Sequence, residues 1–421
     1  MTLDDLRKRL RQMGVTTGQE FQPKPRPAPA PIESLLDGLE RQTEIGSFYE
    51  VAHPFPAETA RGPLALAEWG SQDRTILAQI GGLDAASLPE LDRFVFLDTE
   101  TTGLGGAGAI PFLVGIGVFD AEGRFVVRQF FLRDPSEEDA MLGCLHEAVT
   151  PDSALVTFNG RTFDVPLLAG RYMLARRQTH VSRLPNLDLL NPARRLWKRR
   201  LPSCALGALE ADILGIARTH ADMPGSMIPW MYQQYLQTGD AHDMARVFYH
   251  NEQDILSMVV LAVILTRAFA RPEAPGLHAD DRISLARWYE SRGMLAECEA
   301  AYRIAADEAT DGEARQAALA GYAALLKRLD RREEAVALWE CLADLRLDVD
   351  GHEELAKHYE WHAADLAEAM RWTEAGIALA ESWRPGLRRI EALAALNHRR
   401  ERLQRKLAGQ SDPGETGHEE N

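Results

Sequence analysis

Residues 94–104 read FVFLDTETTGL, an apolar run that leads straight into two carboxylates. Phe94 to Leu97 are aromatic, β-branched or aliphatic without a break, the pattern of a buried strand. Side chains alternate along a strand, so Asp98 and Glu100 project from the same side at its end. Two carboxylates held that close repel each other unless a cation lies between them, and magnesium and manganese prefer such oxygen ligands. Gly103, followed by Gly105, Gly106 and Gly108, reads as a pliable turn that a substrate backbone could approach closely.

Two later segments repeat the logic. In FNGRTFDVP (158–166), Leu155 to Phe158 reads as a short strand and Asn159-Gly160 as a turn. Asp164 then stands at the start of a helix running through Leu167, Leu168 and Tyr172, where on its own it reads as an N-cap. The third segment, YHNEQDIL (249–256), lies inside a helical pattern from Asp243 to Phe269, with apolar residues at Val247, Ile255, Met258, Val259 and Leu261. Asp254 is unfavourable by propensity deep in such a helix and needs a partner or solvent.

Taken jointly, these segments resemble the motifs of the ribonuclease-H-like exonuclease superfamily, whose members use a DEDD set of carboxylates. Asp98 and Glu100 match its first motif, Asp164 within Asn-Gly-x-x-Phe-Asp its second, and Asp254 its third. The stretch from Arg218 through ADMPGSMIPWMYQQYLQTGD (221–240) is similar to a bacterial branch in which the nuclease domain is joined to tetratricopeptide repeats. The resemblance covers residues 91–272. It implies a 3′→5′ exonuclease releasing nucleoside 5′-monophosphates from single-stranded DNA or RNA, with two Mg2+ or Mn2+ ions. Asp98 would bridge both ions, Glu100 and Asp254 would complete the water-bearing site, and Asp164 would act largely through waters. Thr99, Thr101, Gly103, Leu104, Asn159 and Phe163, from the same motifs, are the candidate substrate contacts.

One position departs from the family pattern. The superfamily divides by the residue that orients the attacking water: a Tyr four residues before the last Asp, or a His five before it. Here His250 stands four before Asp254 and Tyr249 five before. Residues i and i+4 share a helix face, so His250 is expected one turn from Asp254, with Tyr249 about 140° away. A neutral imidazole can accept a proton from water near working pH, which makes His250 the expected fifth catalytic residue.

The chain has 421 residues and a net charge of −16, which is awkward for a protein expected to grip phosphates. Charge resolved along the sequence eases the difficulty. Arg194, Arg195, Lys198, Arg199 and Arg200 form a basic run whose i,i+4 pairs share a helix side, and the first four are candidate backbone contacts. Arg171, Arg176 and Arg177 make a weaker second set. Four cysteines without a CxxC pair read as reduced, mostly buried thiols in a cytoplasmic protein. No signal peptide is recognisable, no apolar run reaches the length of a membrane span, and no membrane partner is expected.

The expected fold is α/β, a ribonuclease-H-like mixed sheet flanked by helices, followed by an all-α domain of tetratricopeptide-like helical repeats. Residues 1–32 read as a disordered segment with a Pro-rich linker, and 33–90 as an extension with possible strands around SFYEVAHPF and RTILAQI. The nuclease-like domain spans 91–272, the repeats 277–407, and a disordered tail 408–421. The repeats rest on the similarity of 285–305, 321–343 and 355–378, and a protein partner is expected on them. The rival reading is a nuclease-derived scaffold of weak or no activity that acts through its repeats.

Overall fold

The computed structural model describes residues 28–103, 108–217 and 223–410. A short helix α1 (Ile32–Leu35) leads into a hairpin of β1 (Gly38–Thr43) and β2 (Gly46–Phe55). A small separate ribbon, β3 (Ala60–Arg61) with β4 (Leu64–Ala65), precedes α2 (Arg74–Gly81). Then come β5 (Phe94–Thr101), β6 (Pro111–Phe119), β7 (Phe125–Phe131), α3 (Glu138–Ala148), β8 (Ala154–Thr157), α4 (Asp164–Leu174) and β9 (Asn186–Asp188). Helices α5 (Leu190–Trp197), α6 (Leu206–Asp212), α7 (Ile228–Thr238) and α8 (His242–Ala270) complete this part. Seven strands make one mixed sheet in the order β1-β2-β7-β6-β5-β8-β9. It is antiparallel as far as β5 and parallel beyond.

Two features upstream of position 91 differ from the sequence reading. SFYEVAHPF does form a strand, but it pairs with β7 on one side and β1 on the other, so this hairpin extends the main sheet rather than standing apart as an extension. RTILAQI is a helix, not a strand. Asp73 caps it by accepting the Thr75 N–H at 2.7 Å, its buried Leu77, Ala78 and Ile80 share one face, and Gly82 at φ 63° ends it. Residues 1–27 of the Pro-rich segment lie outside the described residues. Its end is packed: the Ala30 carbonyl accepts the Ala241 N–H at 2.9 Å.

The sheet separates two apolar cores, and α8 belongs to both. Val95, Leu97, Ile116 and Leu155 face α3, α4, α7 and the first turns of α8, including Met244, Val247 and Phe248. Phe94, Phe96 and Val156 face α2, α5, α6 and α8 from Ile255 onward. Between these runs, residues 249–254 are polar or amphipathic, and here α8 crosses the sheet beside β5. As a whole, His242–Ala270 is long and apolar enough to cross a membrane, contrary to the sequence reading, but 72% of its most apolar window is buried inside this fold. The thiols also differ from expectation. Only Cys298 is fully buried, and Cys341 is exposed.

Beyond α8 the chain is helical. The pairs are α9 (Ala279–Ser291) with α10 (Leu295–Glu308), α11 (Gly312–Arg328) with α12 (Arg332–Leu345), and α13 (Asp350–Trp361) with α14 (Leu366–Glu381). A long helix, α15 (Leu387–Gln410), closes the series. The second core continues without a break through Ile283, Trp288, Tyr289, Ala301 and Trp339. Phe269 packs on Trp288 and Tyr289, whose hydroxyl donates to the Phe269 carbonyl. Burial of such aromatic surface holds the helical region to α8, and the Arg199–Asp280 and Arg200–Asp281 ion pairs tie it to the end of α5.

Candidate active site

Strand pairing carries β5 past its apolar run as far as Thr101, because β6 continues to supply partners up to Pro111. Exposure then alternates: Thr99 and Thr101 are buried, while Asp98 and Glu100 lie on the more open face. On that face β6 presents Gly115 opposite Asp98 and Gly117 opposite Phe96. A side chain at Gly115 would collide with the Asn251 amide and Ile255, so the missing Cβ lets α8 sit directly on the strand backbone. The approach brings His250 between two carboxylates. Its Nε2 is 3.9 Å from Glu100 Oε1 and 3.6 Å from Asp254 Oδ2. Tyr249 is half-buried and shares no hydrogen bond with either.

Asp98 is held by a relay that the sequence reading missed. Asn251 Nδ2 donates to Asp98 Oδ2 at 2.8 Å, while Gln129 Nε2 donates to Asn251 Oδ1 at 2.9 Å and to the Phe248 carbonyl at 2.8 Å. Both amides are buried, so each lost bond would leave an unsatisfied polar group in the interior. The available signal was weak: an Asn one residue after His250, and a Gln among the apolar residues of 125–131.

Asp164 opens α4 but does not cap it. Phe163 holds the cap position without a side-chain bond, and the Asp164 carboxylate instead accepts the Thr99 hydroxyl. Burial pushes its carboxyl up to about 6, against the opposing effect of that hydrogen bond. Thr99 alternates to the sheet face opposite Asp98 and Glu100, so the acidic residues flank β5 from two sides. Among the described residues, no three Asp, Glu, His or Cys side chains converge tightly enough to hold an ion as they stand. The turn leading to Asp164 has Asn159 at φ 68°, a conformation Asn tolerates well. Asp188 fixes that turn by accepting the N–H groups of Asn159 and Arg161 at 2.9 and 3.0 Å. Thr101 donates to the Gly103 carbonyl at 2.6 Å, and Leu104 lies outside the described residues.

The basic run divides in two. Helix α5 ends at Trp197, and Arg199 and Arg200, just beyond it, are spent on Asp280 and Asp281 of α9. Arg194, Arg195 and Lys198 are exposed along a common cleft without a carboxylate partner among the described residues. Of the weaker set, Arg171 grips Glu138 and Arg177 pairs with Asp139, which ties α4 to α3. Those two serve the packing of the sheet's flank.

Two comparisons with known proteins bear on the fold. A family model described as the RNase_H superfamily matches residues 95–266, an interval that contains all four acidic residues, His250 and Asn251. The chain is also 32% identical, over 298 residues, to a Bacillus subtilis (strain 168) protein named "Uncharacterized protein YprB". That alignment covers 68% of this chain and 70% of the relative, so the likeness reaches beyond the matched domain.

Proposed function

Because this chain belongs to the RNase_H superfamily through residues 95–266, a family of nucleic-acid hydrolases, we propose that it is a metal-dependent 3′→5′ exonuclease acting on single-stranded DNA or RNA. One observation carries the reading. Two carboxylates two residues apart on β5 meet a histidine and a third carboxylate one turn apart on α8, with His250 Nε2 within 4 Å of both Glu100 and Asp254.

The donors suit divalent cations in kind. Asp98, Glu100, Asp164 and Asp254 offer only oxygen, the ligand type that magnesium and manganese take. A nearby cation would also favour ionisation of the Asp164 carboxyl that burial now opposes. Two such ions, when bound by these four residues, would supply Lewis-acid activation and neutralise charge on the phosphodiester. Asp164, held by Thr99 across the strand from the others, would contribute the fourth carboxylate of the set. His250 would accept the proton of the attacking water and orient it toward the phosphorus, with Asp254 and Glu100 stabilising the resulting imidazolium. Asn251 and Gln129 would keep Asp98 in a single rotamer. The helical pairs support a tetratricopeptide-like module, and on this reading a protein partner would bind its distal part.

The test uses purified protein with end-labelled single strands, with and without manganese. Mononucleotides should leave from the 3′ side, a 3′-phosphate should suppress cleavage, and Asp98→Ala should abolish it with the fold intact. A circular strand cut as fast as a linear one would turn the assignment to an endonuclease. Full activity in Asp98→Ala, after control for contaminants, would remove the catalytic reading and leave the scaffold.

A further inference from the structure

Three clefts, of about 610, 570 and 570 Å³, are linked in turn by shared lining residues. The first reaches Val165, next to Asp164, and is bounded by Arg161. Arg161 also lines the second, with Arg194, Arg195, Lys198 and Arg292. The same α5 cations line the third, together with Arg287 of α9. The path therefore begins at the turn before Asp164, crosses α5, and ends on the first helical pair.

Its charge is out of keeping with the rest of the protein. The chain is acidic overall, and arginines elsewhere are commonly paired, as in Arg61–Glu210, Arg133–Glu137, Arg331–Glu299 and Arg402–Glu360. Arg161, Arg194, Arg195, Lys198, Arg287 and Arg292 have no carboxylate partner among the described residues. Neutral groups hold three of them instead. Arg161 donates to the Asn186 carbonyl at 2.7 Å, Arg292 donates to the Gln79 carbonyl at 2.8 Å, and Arg195 lies 5.6 Å over the Trp288 ring. Asp188, the acidic residue in the lining, is occupied by backbone N–H groups. Six gathered cations call for an anion, and an extended row of them calls for a polyanion.

We propose that this path binds the phosphodiester backbone of a single strand upstream of its reacting end, so that α9 and the turn after it are a nucleic-acid-binding element. The proposal rests on the nuclease reading for the direction of the strand, but its test needs no hydrolysis. Binding of a fluorescent single strand of about 12 nucleotides to the full chain is followed by anisotropy in the presence of a chelator. Arg194→Gln with Arg287→Gln should weaken binding about tenfold and reduce the slope of log K against log salt by about 1.4, roughly 0.7 for each lost contact. Arg194→Gln with Lys198→Gln, confined to α5 and its C-cap, gives a second variant if the first melts early. Arg315→Gln, an exposed cation of α11 away from the path, should bind as the unaltered protein does. Unchanged binding in both path variants would overturn the proposal, as would an equal loss in Arg315→Gln. Displacement of the strand by phosphatidylserine vesicles as readily as by unlabelled strand would overturn it too, in favour of a membrane surface. A protein that binds as expected but cuts nothing would defeat the nuclease reading and leave the path standing.

Discussion

His250 and Tyr249 exchange the residue types that the family places at these positions, and geometry separates their expected roles. His250 is buried between Glu100 and Asp254, while Tyr249, one residue earlier on a regular helix, faces elsewhere. On this arrangement His250→Ala should lower turnover by about 10² to 10⁴, the usual worth of a positioned general base. Tyr249→Phe, which keeps the ring and loses only the hydroxyl, should cost little. Single-turnover rates at saturating substrate would measure both, with the apparent affinity nearly unchanged. The reverse ranking would assign the water to Tyr249. The pair was legible in sequence because an i,i+4 relation on a helix fixes which side chains share a face.

At the scale of the element, the site depends on how closely α8 approaches β6. Gly115→Ala should push Asn251 off Asp98 and destabilise the fold by about 1–3 kcal/mol, as overpacking does. Combining it with Asn251→Ala should restore part of that stability, because one of the two colliding groups is gone, while turnover stays low for want of the Asp98 partner. Denaturant unfolding of the two single variants and the double would show this. Strictly additive losses would mean that the helix does not rest on the strand at Gly115. Here the sequence was less informative. The alternation Gly115-Ile116-Gly117 is plain in the sequence, but nothing local says which helix will lie over it.

At the scale of the whole molecule, the helical region is closed by one buried carboxylate. The Glu360 side chain, fully buried, accepts from Arg399, Arg402 and Lys406 of α15 at 2.8, 2.7 and 2.9 Å. Despite the cost of burial, these cations hold its carboxyl down to about 2. Its folded value lies below the ordinary 4.5, so the stabilisation is complete above that pH and is lost as pH falls through 2. Glu360→Gln should cost about 2–3 kcal/mol at neutral pH, allowing for solvent screening at the partly exposed Arg402 and Lys406. The variant should also lose the acid-dependent part of the melting curve between pH 4.5 and 2. Hydrogen exchange along α13 and α15 would report it. Identical pH profiles in the two proteins would rule the contact out as a structural closure.

By itself, the sequence determined the elements around the acidic motifs and the character of the sheet, since periodicity and turn chemistry are local properties. The apolar run before Asp98 is β5, the Asn159-Gly160 turn precedes α4, and Asp254 does lie well inside a long helix. What the tertiary structure decided is everything that joins distant segments. It placed Asp164 on Thr99 rather than on its own helix end, set Asn251 and Gln129 behind Asp98, and turned Arg199 away to Asp280 while leaving Arg194 open. A cap, a relay and an ion pair compete for the same polar groups. Only packing, by fixing which groups lose their water and which neighbours remain within reach, settles that competition.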